Sequence, residues 1–275
     1  MNTHALVLFT AGMAIAMAAP ESYRAQVEQW RAHREASLKA DGGWLTVTGL
    51  FWLHDGSNTF GAAESNEIVL PADPELHGNG SFDLHAGKVT MRLNGQTREL
   101  RPDDDKVKIG ALTMFVIERG DRTGIRLKDN NSRFRKEFTG LKWYPVNEAY
   151  RIAARWVAEP QKITLPNILG QTSQEASPGY AEFDLAGQHL RLTPVEETPG
   201  ELFFVFRDLT AGKDTYGSGR FLDTPMPENG KVVLDFNMAY NPPCAFTPYA
   251  TCPLPPKQNR LPVRIEAGER KYGNH

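Results

Sequence analysis

The sequence predicts a mainly β protein, an antiparallel sandwich or barrel-like core carrying one N-terminal amphipathic helix. Short runs rich in β-branched and aromatic residues alternate in polarity from Trp44 to Glu266. Gly, Pro, Asn and Asp punctuate nearly every gap between these runs. Only one long segment, Pro20 to Ala40, repeats its apolar residues near helical spacing. Many short strands separated by turn signals suit a sandwich or barrel; alternating βαβ units would need a helix in most gaps.

Residues 1–19 precede that helix and read as an export signal. Ala5–Ala18 is an apolar run too short to span a bilayer comfortably, and Ala16-Met17-Ala18 gives the small-x-small pattern before a cleavage point. Cleavage after Ala18 or Ala19 would release a periplasmic or secreted protein. The expected helix occupies residues 20–41: Tyr23, Val27, Trp30 and Leu38 form its apolar stripe, with Arg24, Arg31, Arg34 and Lys39 placed on the surface. Gly42-Gly43 stop it.

The β-rich remainder, 42–275, starts with an aromatic run over 44–53 and a turn at His54–Asn58. Asn94-Gly95 is a hairpin signal between the runs 88–93 and 97–101. Further runs follow at 67–70, 113–118, 124–127, 150–158, 161–165, 180–185, 188–193, 201–208, 220–222, 231–237 and 261–266. A break near 131–145, with a short helix over Ser132–Phe138, either separates two lobes or interrupts one continuous domain.

The formal net charge is −2, with both signs interleaved, which argues against a nucleic-acid surface. After signal removal no transmembrane segment is expected. The two cysteines, Cys244 and Cys252, are candidates for one disulfide in an exported chain, worth about 2–3 kcal/mol at most for so short a ring. Close thiol pairs and clustered histidines are lacking, so neither a metal nor a cofactor is expected.

The segment 235–268 holds both cysteines and six prolines between 242 and 256, with Phe246, Tyr249 and Leu254 as apolar surface. Proline fixes φ and removes a donor, so such a loop can hold one irregular shape at low entropic cost. Upstream, Arg207–Arg220 is Gly-rich but misses the phosphate-loop spacing: Arg207 stands where glycine is needed, and Asp214 follows Lys213. What remains is a polar rim of Arg207, Lys213, Tyr216 and Arg220 suited to an anionic or polyhydroxylated ligand, or a charged hairpin in which Asp208 and Asp214 pair with those cations. Asp235, Asn237 and Asn241 lead into the proline loop, either as ligand contacts or as partners for loop backbone. His54-Asp55 suits a turn better than a catalytic dyad, because neighbouring residues on an extended chain face opposite sides. Arg119-Gly120-Asp121 reads as a hairpin tip, and the tryptophans as core. Catalytic residues are not assignable.

Trp44-Leu45 with Gly49-Leu50-Phe51-Trp52-Leu53, Gly124–Asp129, Arg207-Asp208-Leu209-Thr210, Thr215-Tyr216-Gly217 with Gly219–Leu222, and above all Asn241–Ala245 with Cys252–Pro256 form a combination. It resembles the bacterial domain-of-unknown-function family 1684 over nearly all of the chain after residue 19. The resemblance implies a bacterial source and an exported or lipid-anchored protein; lacking a lipid-attachment cysteine, the chain fits the soluble form. It supplies no catalytic residues.

The leading expectation is an exported protein that binds a small polar or anionic ligand, such as a glycan fragment, beside the Cys244–Cys252 loop. One alternative is a hydrolase using Tyr216, Arg220 and Asp235. Another is an envelope interaction protein presenting Phe246 and Tyr249 as one apolar patch.

Overall fold

A computed structural model describes residues 21–273; the export signal expected over 1–19 lies outside the described residues. Helix α1 (Tyr23–Lys39) starts at Ser22, whose hydroxyl caps the Ala25 amide, and is followed by Gly42 at φ +70°. It buries Val27 and Leu38 as the pattern demands, but Arg31 as well. This corrects the surface placement of Arg31, and in part of the half-buried Arg34, while Arg24 is exposed as expected. Arg31 donates to the carbonyls of Tyr144 and Asn237, and Arg34 to that of Asn241 at 2.9 Å, so the helix docks by supplying donors to loop backbone. Arg31 also lies over Trp143 and Arg34 over Tyr240, where the ring faces favour a cation.

The chain then runs through β1 (Val47–Trp52), β2 (Gly56–Gly61), β3 (Ile68–Val69), β4 (Gly80–His85), β5 (Lys88–Leu93), β6 (Gln96–Leu100), β7 (Lys106–Ile109), β8 (Leu112–Arg119) and β9 (Arg122–Asp129). One sheet has the order β1-β9-β8-β7 and another β3-β2-β4-β5-β6. Phe60, Phe82, Met114, Val116, Ile125 and Leu127 fill the core they share. Asn94 and Gly95 both take positive φ and turn β5 into β6, and Gly120 at φ +60° sits at the β8–β9 tip. Two mirror-type turn residues match the right-handed twist of paired strands.

Helix α2 (Arg133–Lys136) interrupts the strands, with Ser132 accepting from the Phe134 amide. Then come β10 (Arg151–Val157), β11 (Gln161–Pro166), β12 (Thr172–Ser177), β13 (Tyr180–Leu185), β14 (Gln188–Leu192), β15 (Glu201–Phe206), β16 (Arg220–Pro225) and β17 (Lys231–Asp235). The order β14-β13-β10-β17 makes a third sheet, and β11-β12 and β15-β16 are hairpins. The run Leu202–Phe206 is apolar throughout because both its faces are covered. Leu202, Phe204 and Phe206 meet the third sheet, while Phe203 and Val205 meet Ala250 and Cys252. The architecture is sandwich-like, with no closed barrel among the described residues.

The segment 261–266, expected as a strand, is extended but joins no sheet. Leu261, Val263 and Ile265 alternate inward, yet several of its backbone groups bond side chains: the Ile265 amide to Asp208 and the Ile265 carbonyl to Arg220. The turn expected at His54–Asn58 instead gives way to β2 from Gly56 onward, where Asn58 turns inward and bonds the His54 and Phe82 carbonyls.

Candidate functional site

The proline–cysteine loop is held at three places. Its Pro242-Pro243 start leads into a tight helical turn, Pro243–Ala245, with the amides of Ala245 and Phe246 closing on the carbonyls of Pro242 and Pro243. Thr247 donates to the Val47 carbonyl at 2.9 Å, tying the loop to β1. Leu254 donates to the Pro166 carbonyl at 2.7 Å, tying it to β11. Proline supplies fixed φ angles where no amide donor is required, so the loop keeps its shape without joining a sheet.

Against this loop lies a cleft of about 550 Å³. Cys244, Ala245, Phe246, Thr247 and Pro248 form one side; Tyr216, Tyr272 and the α2 residues Arg133, Phe134 and Glu137 form the rest. Phe246 stacks obliquely on Tyr272, with ring centroids 5.1 Å apart, and together with Leu38 and Leu45 it backs the cleft. The Tyr216 hydroxyl donates to the Cys244 carbonyl at 3.1 Å; burial, then the adjoining Cys244 side chain, push its ionisation well above the ordinary tyrosine range. Arg133 is exposed and lies over the Phe134 ring, and it forms no ion pair among the described residues. A guanidinium, a carboxylate and a hydroxyl beside three aromatic rings can hold a molecule that has a charged or polar edge and an apolar face.

The two cysteines are free and lie against each other. The Cys244 amide donates to the Cys252 sulfur at 3.2 Å; Cys244 is half-buried on the cleft wall and Cys252 is buried behind it. Hydrogen bonding between the thiols draws Cys244 below its ordinary range, and the same contact, with burial, pushes Cys252 above it.

The residues expected to converge on a ligand are distributed over separate places. Of the seven, Tyr216 lines this cleft. Arg207 and Lys213 are exposed elsewhere, their amides bonded to Asn259 and Thr210 carbonyls. Arg220 is 1% exposed and donates to Asp208, to the Ile265 carbonyl at 3.0 Å and to the Ala267 carbonyl. It is a structural strut, not part of a rim. Of the hairpin pairs expected, Asp208–Arg220 forms, whereas Asp214 pairs with Arg264 at 2.8 Å. Asp235 accepts from the Tyr23 hydroxyl at 2.9 Å and caps the Asn237 amide. Asn237 bonds Tyr23 and both backbone groups of Asn147, fastening α1 to the end of β17. Asn241 is buried on Glu269 and the Arg270 carbonyl. These asparagines serve the backbone, the alternative reading of their position.

Arg220 and Asp235 therefore share no partner, which removes the common point the hydrolase alternative needs. Phe246 is 5% exposed, so the apolar patch of the interaction alternative is not formed. His54 faces Glu67 at 2.9 Å on the surface, and its other ring nitrogen meets the Asp55 carbonyl, not its carboxylate. Among the described residues no group of histidines, cysteines and carboxylates is arranged to hold a metal ion.

Sequence reasoning missed Arg133, Phe134, Glu137 and Tyr272. Ser132 followed by an apolar and basic turn was a legible helix start, but nothing local in the chain ties that turn to Tyr216 or to the C-terminal tyrosine.

No curated protein matches the chain. Among solved structures, the chain is similar to an uncharacterised protein of Haloarcula marismortui determined by solution NMR, at 30% identity and a TM-score of 0.43, covering 51% of this chain and 81% of that one. The profile of the family described as "Protein of unknown function (DUF1684)" matches residues 136–270, a span that includes Tyr216 and the whole proline–cysteine loop. Through that segment the chain belongs to the DUF1684 family.

Proposed function

We propose that this is an exported protein that binds a small polar or anionic ligand, an acidic glycan fragment being one such molecule, in the cleft beside the Cys244–Cys252 loop. The observation that carries the reading is Arg133: a cation without an ion-pair partner among the described residues, on the rim of a cleft of about 550 Å³ backed by Phe246 and Tyr272. Aromatic faces suit the apolar side of a sugar ring, and a guanidinium suits its carboxylate. Closure of the two adjacent cysteines into a disulfide would fix the wall on which Cys244 sits. Export is supported by the apolar run 5–18 and its small-residue boundary.

Isothermal titration with glucuronic acid and N-acetylmuramic acid, against glucose and N-acetylglucosamine, tests the binding. The acidic sugars should bind more tightly than their neutral counterparts, and Arg133→Ala should weaken them about tenfold, about 1.4 kcal/mol. Absence of binding by the whole panel, or affinities that Arg133→Ala leaves untouched, would refute the reading. Export is tested separately by mass spectrometry of protein recovered from the periplasmic fraction or medium. Its first residue should be Ala19 or Pro20; an intact Met1 start confined to the cytoplasm contradicts export.

A further inference from the structure

The geometry points to Cys244 and Cys252 as a thiol–disulfide exchange pair, in which Cys244 is the sulfur reached through the cleft, Cys252 the buried resolving sulfur and Arg126 the buried cation beside the Cys252 thiolate. The inference rests on the same cleft as the binding reading, because Cys244 belongs to its wall. It assigns a different chemistry to that wall.

Two independent features carry it. The first is asymmetric access: Cys244 borders the open cleft, whereas Cys252 is 5% exposed and packed among Ile163, Phe203 and Ala250. A disulfide between them presents one sulfur to solvent and shields the other, the arrangement that directs an incoming thiolate to a single sulfur. The second is Arg126 on β9. It is 4% exposed and carries a charge, yet no carboxylate pairs with it among the described residues. Its Nε is buried without a partner, one terminal nitrogen bonds the Thr251 hydroxyl at 3.2 Å, and the Trp44 ring lies 5.5 Å from the guanidinium carbon. Burying a guanidinium without an anion is costly. Cys252 directly follows Thr251, whose hydroxyl accepts from both Arg126 and, at 3.0 Å, Arg119, so a thiolate released at Cys252 would form next to the residue that gathers these two cations.

In the reducing direction, the thiolate of an incoming thiol attacks the Cys244 sulfur. A new S–S bond forms there, the Cys244–Cys252 bond breaks, and Cys252 leaves as a thiolate beside Arg126. A second thiolate then attacks the incoming sulfur of the mixed disulfide and releases Cys244 as a thiolate. The pair gains two electrons, and two thiols become one disulfide. The oxidising direction is the reverse, with a disulfide of the partner reduced.

The full-length mature protein is equilibrated with defined ratios of reduced and oxidised glutathione, and the two cysteines are scored by alkylation and mass spectrometry. The expected result is reversible interconversion of dithiol and disulfide in the folded protein. Cys252→Ser should accumulate one glutathione on Cys244, and Cys244→Ser should take up none. Arg126→Met should shift the equilibrium toward the disulfide by about tenfold, about 30 mV for a two-electron couple. Should a variant not fold, brief iodoacetamide treatment of reduced wild type decides: modification of Cys244 well ahead of Cys252 supports the assignment. Equal reactivity, a disulfide that glutathione does not open in the folded protein, or no adduct on folded Cys252→Ser overturns it. Sugar titration reads the binding and the thiol state under glutathione reads the exchange, so the two readings fail separately.

Discussion

Replacing Arg220 with alanine will destabilise the fold by about 3–5 kcal/mol. The guanidinium is 1% exposed and occupies the space between β16 and the extended segment 261–267. Its removal leaves the Asp208 carboxylate buried, with only the Thr210 hydroxyl and the Thr210 and Ile265 amides to stabilise it. It also strips the Ile265 and Ala267 carbonyls of their donor. An unpaired buried charge costs more than the ion pair itself contributes, so the double variant Arg220→Met/Asp208→Asn should recover part of the loss. Urea denaturation at neutral pH measures both. A loss below about 1 kcal/mol in the single variant, the range of an exposed pair, would contradict the structural role given to Arg220.

The second large effect depends on pH. Glu269 is fully buried, accepts from the Asn241 amide and side chain, and lies 3.7 Å from Arg34 of α1. Burial pushes its carboxyl up from 4.5 to about 7; Arg34, Asn241 and Arg220 oppose the shift without cancelling it. A carboxyl with a raised folded pKa holds its proton in the folded state while the unfolded chain has already lost it. The folded state therefore loses relative stability as pH rises from about 4.5 to about 7, by up to about 3 kcal/mol. The carboxylates held below their ordinary range, such as Asp83 beside Arg92, act in the opposite direction and at lower pH. Denaturation of wild type and Glu269→Gln between pH 5 and 8 separates the contributions. The wild type should lose stability relative to the variant across that interval, and parallel curves would show that Glu269 does not titrate there.

The parts of the fold legible in the sequence are those set by neighbours. Asn94-Gly95 marks its hairpin because two consecutive positive φ angles suit Asn and Gly, and Val27 and Leu38 mark the inward face of α1 by spacing alone. The parts that were not legible depend on distant partners. Arg31 and Arg220 look like surface cations in the sequence. They are buried because carbonyl oxygens from residues 144, 237, 265 and 267 converge on them. The segment 261–266 has the alternation of a strand, but side chains rather than a neighbouring strand take several of its hydrogen bonds. At the candidate site, the cysteine loop was readable as a stiff wall and Tyr216 as part of a polar rim beside it. Arg133, Phe134 and Tyr272 were not, since the cleft joins four segments separated along the chain: 133–137, Tyr216, 244–248 and Tyr272.

Following backbone amide resonances of the wild-type protein during titration with glucuronic acid maps where an acidic sugar binds. The structure predicts that the shifts cluster on Arg133–Glu137, Tyr216 and Cys244–Thr247, with Arg207 and Asn237 unmoved. Saturable shifts centred elsewhere, for example around Glu197, Asp223 and Tyr240 in a separate groove, or no shifts at all, would contradict the assignment of the cleft as the binding site.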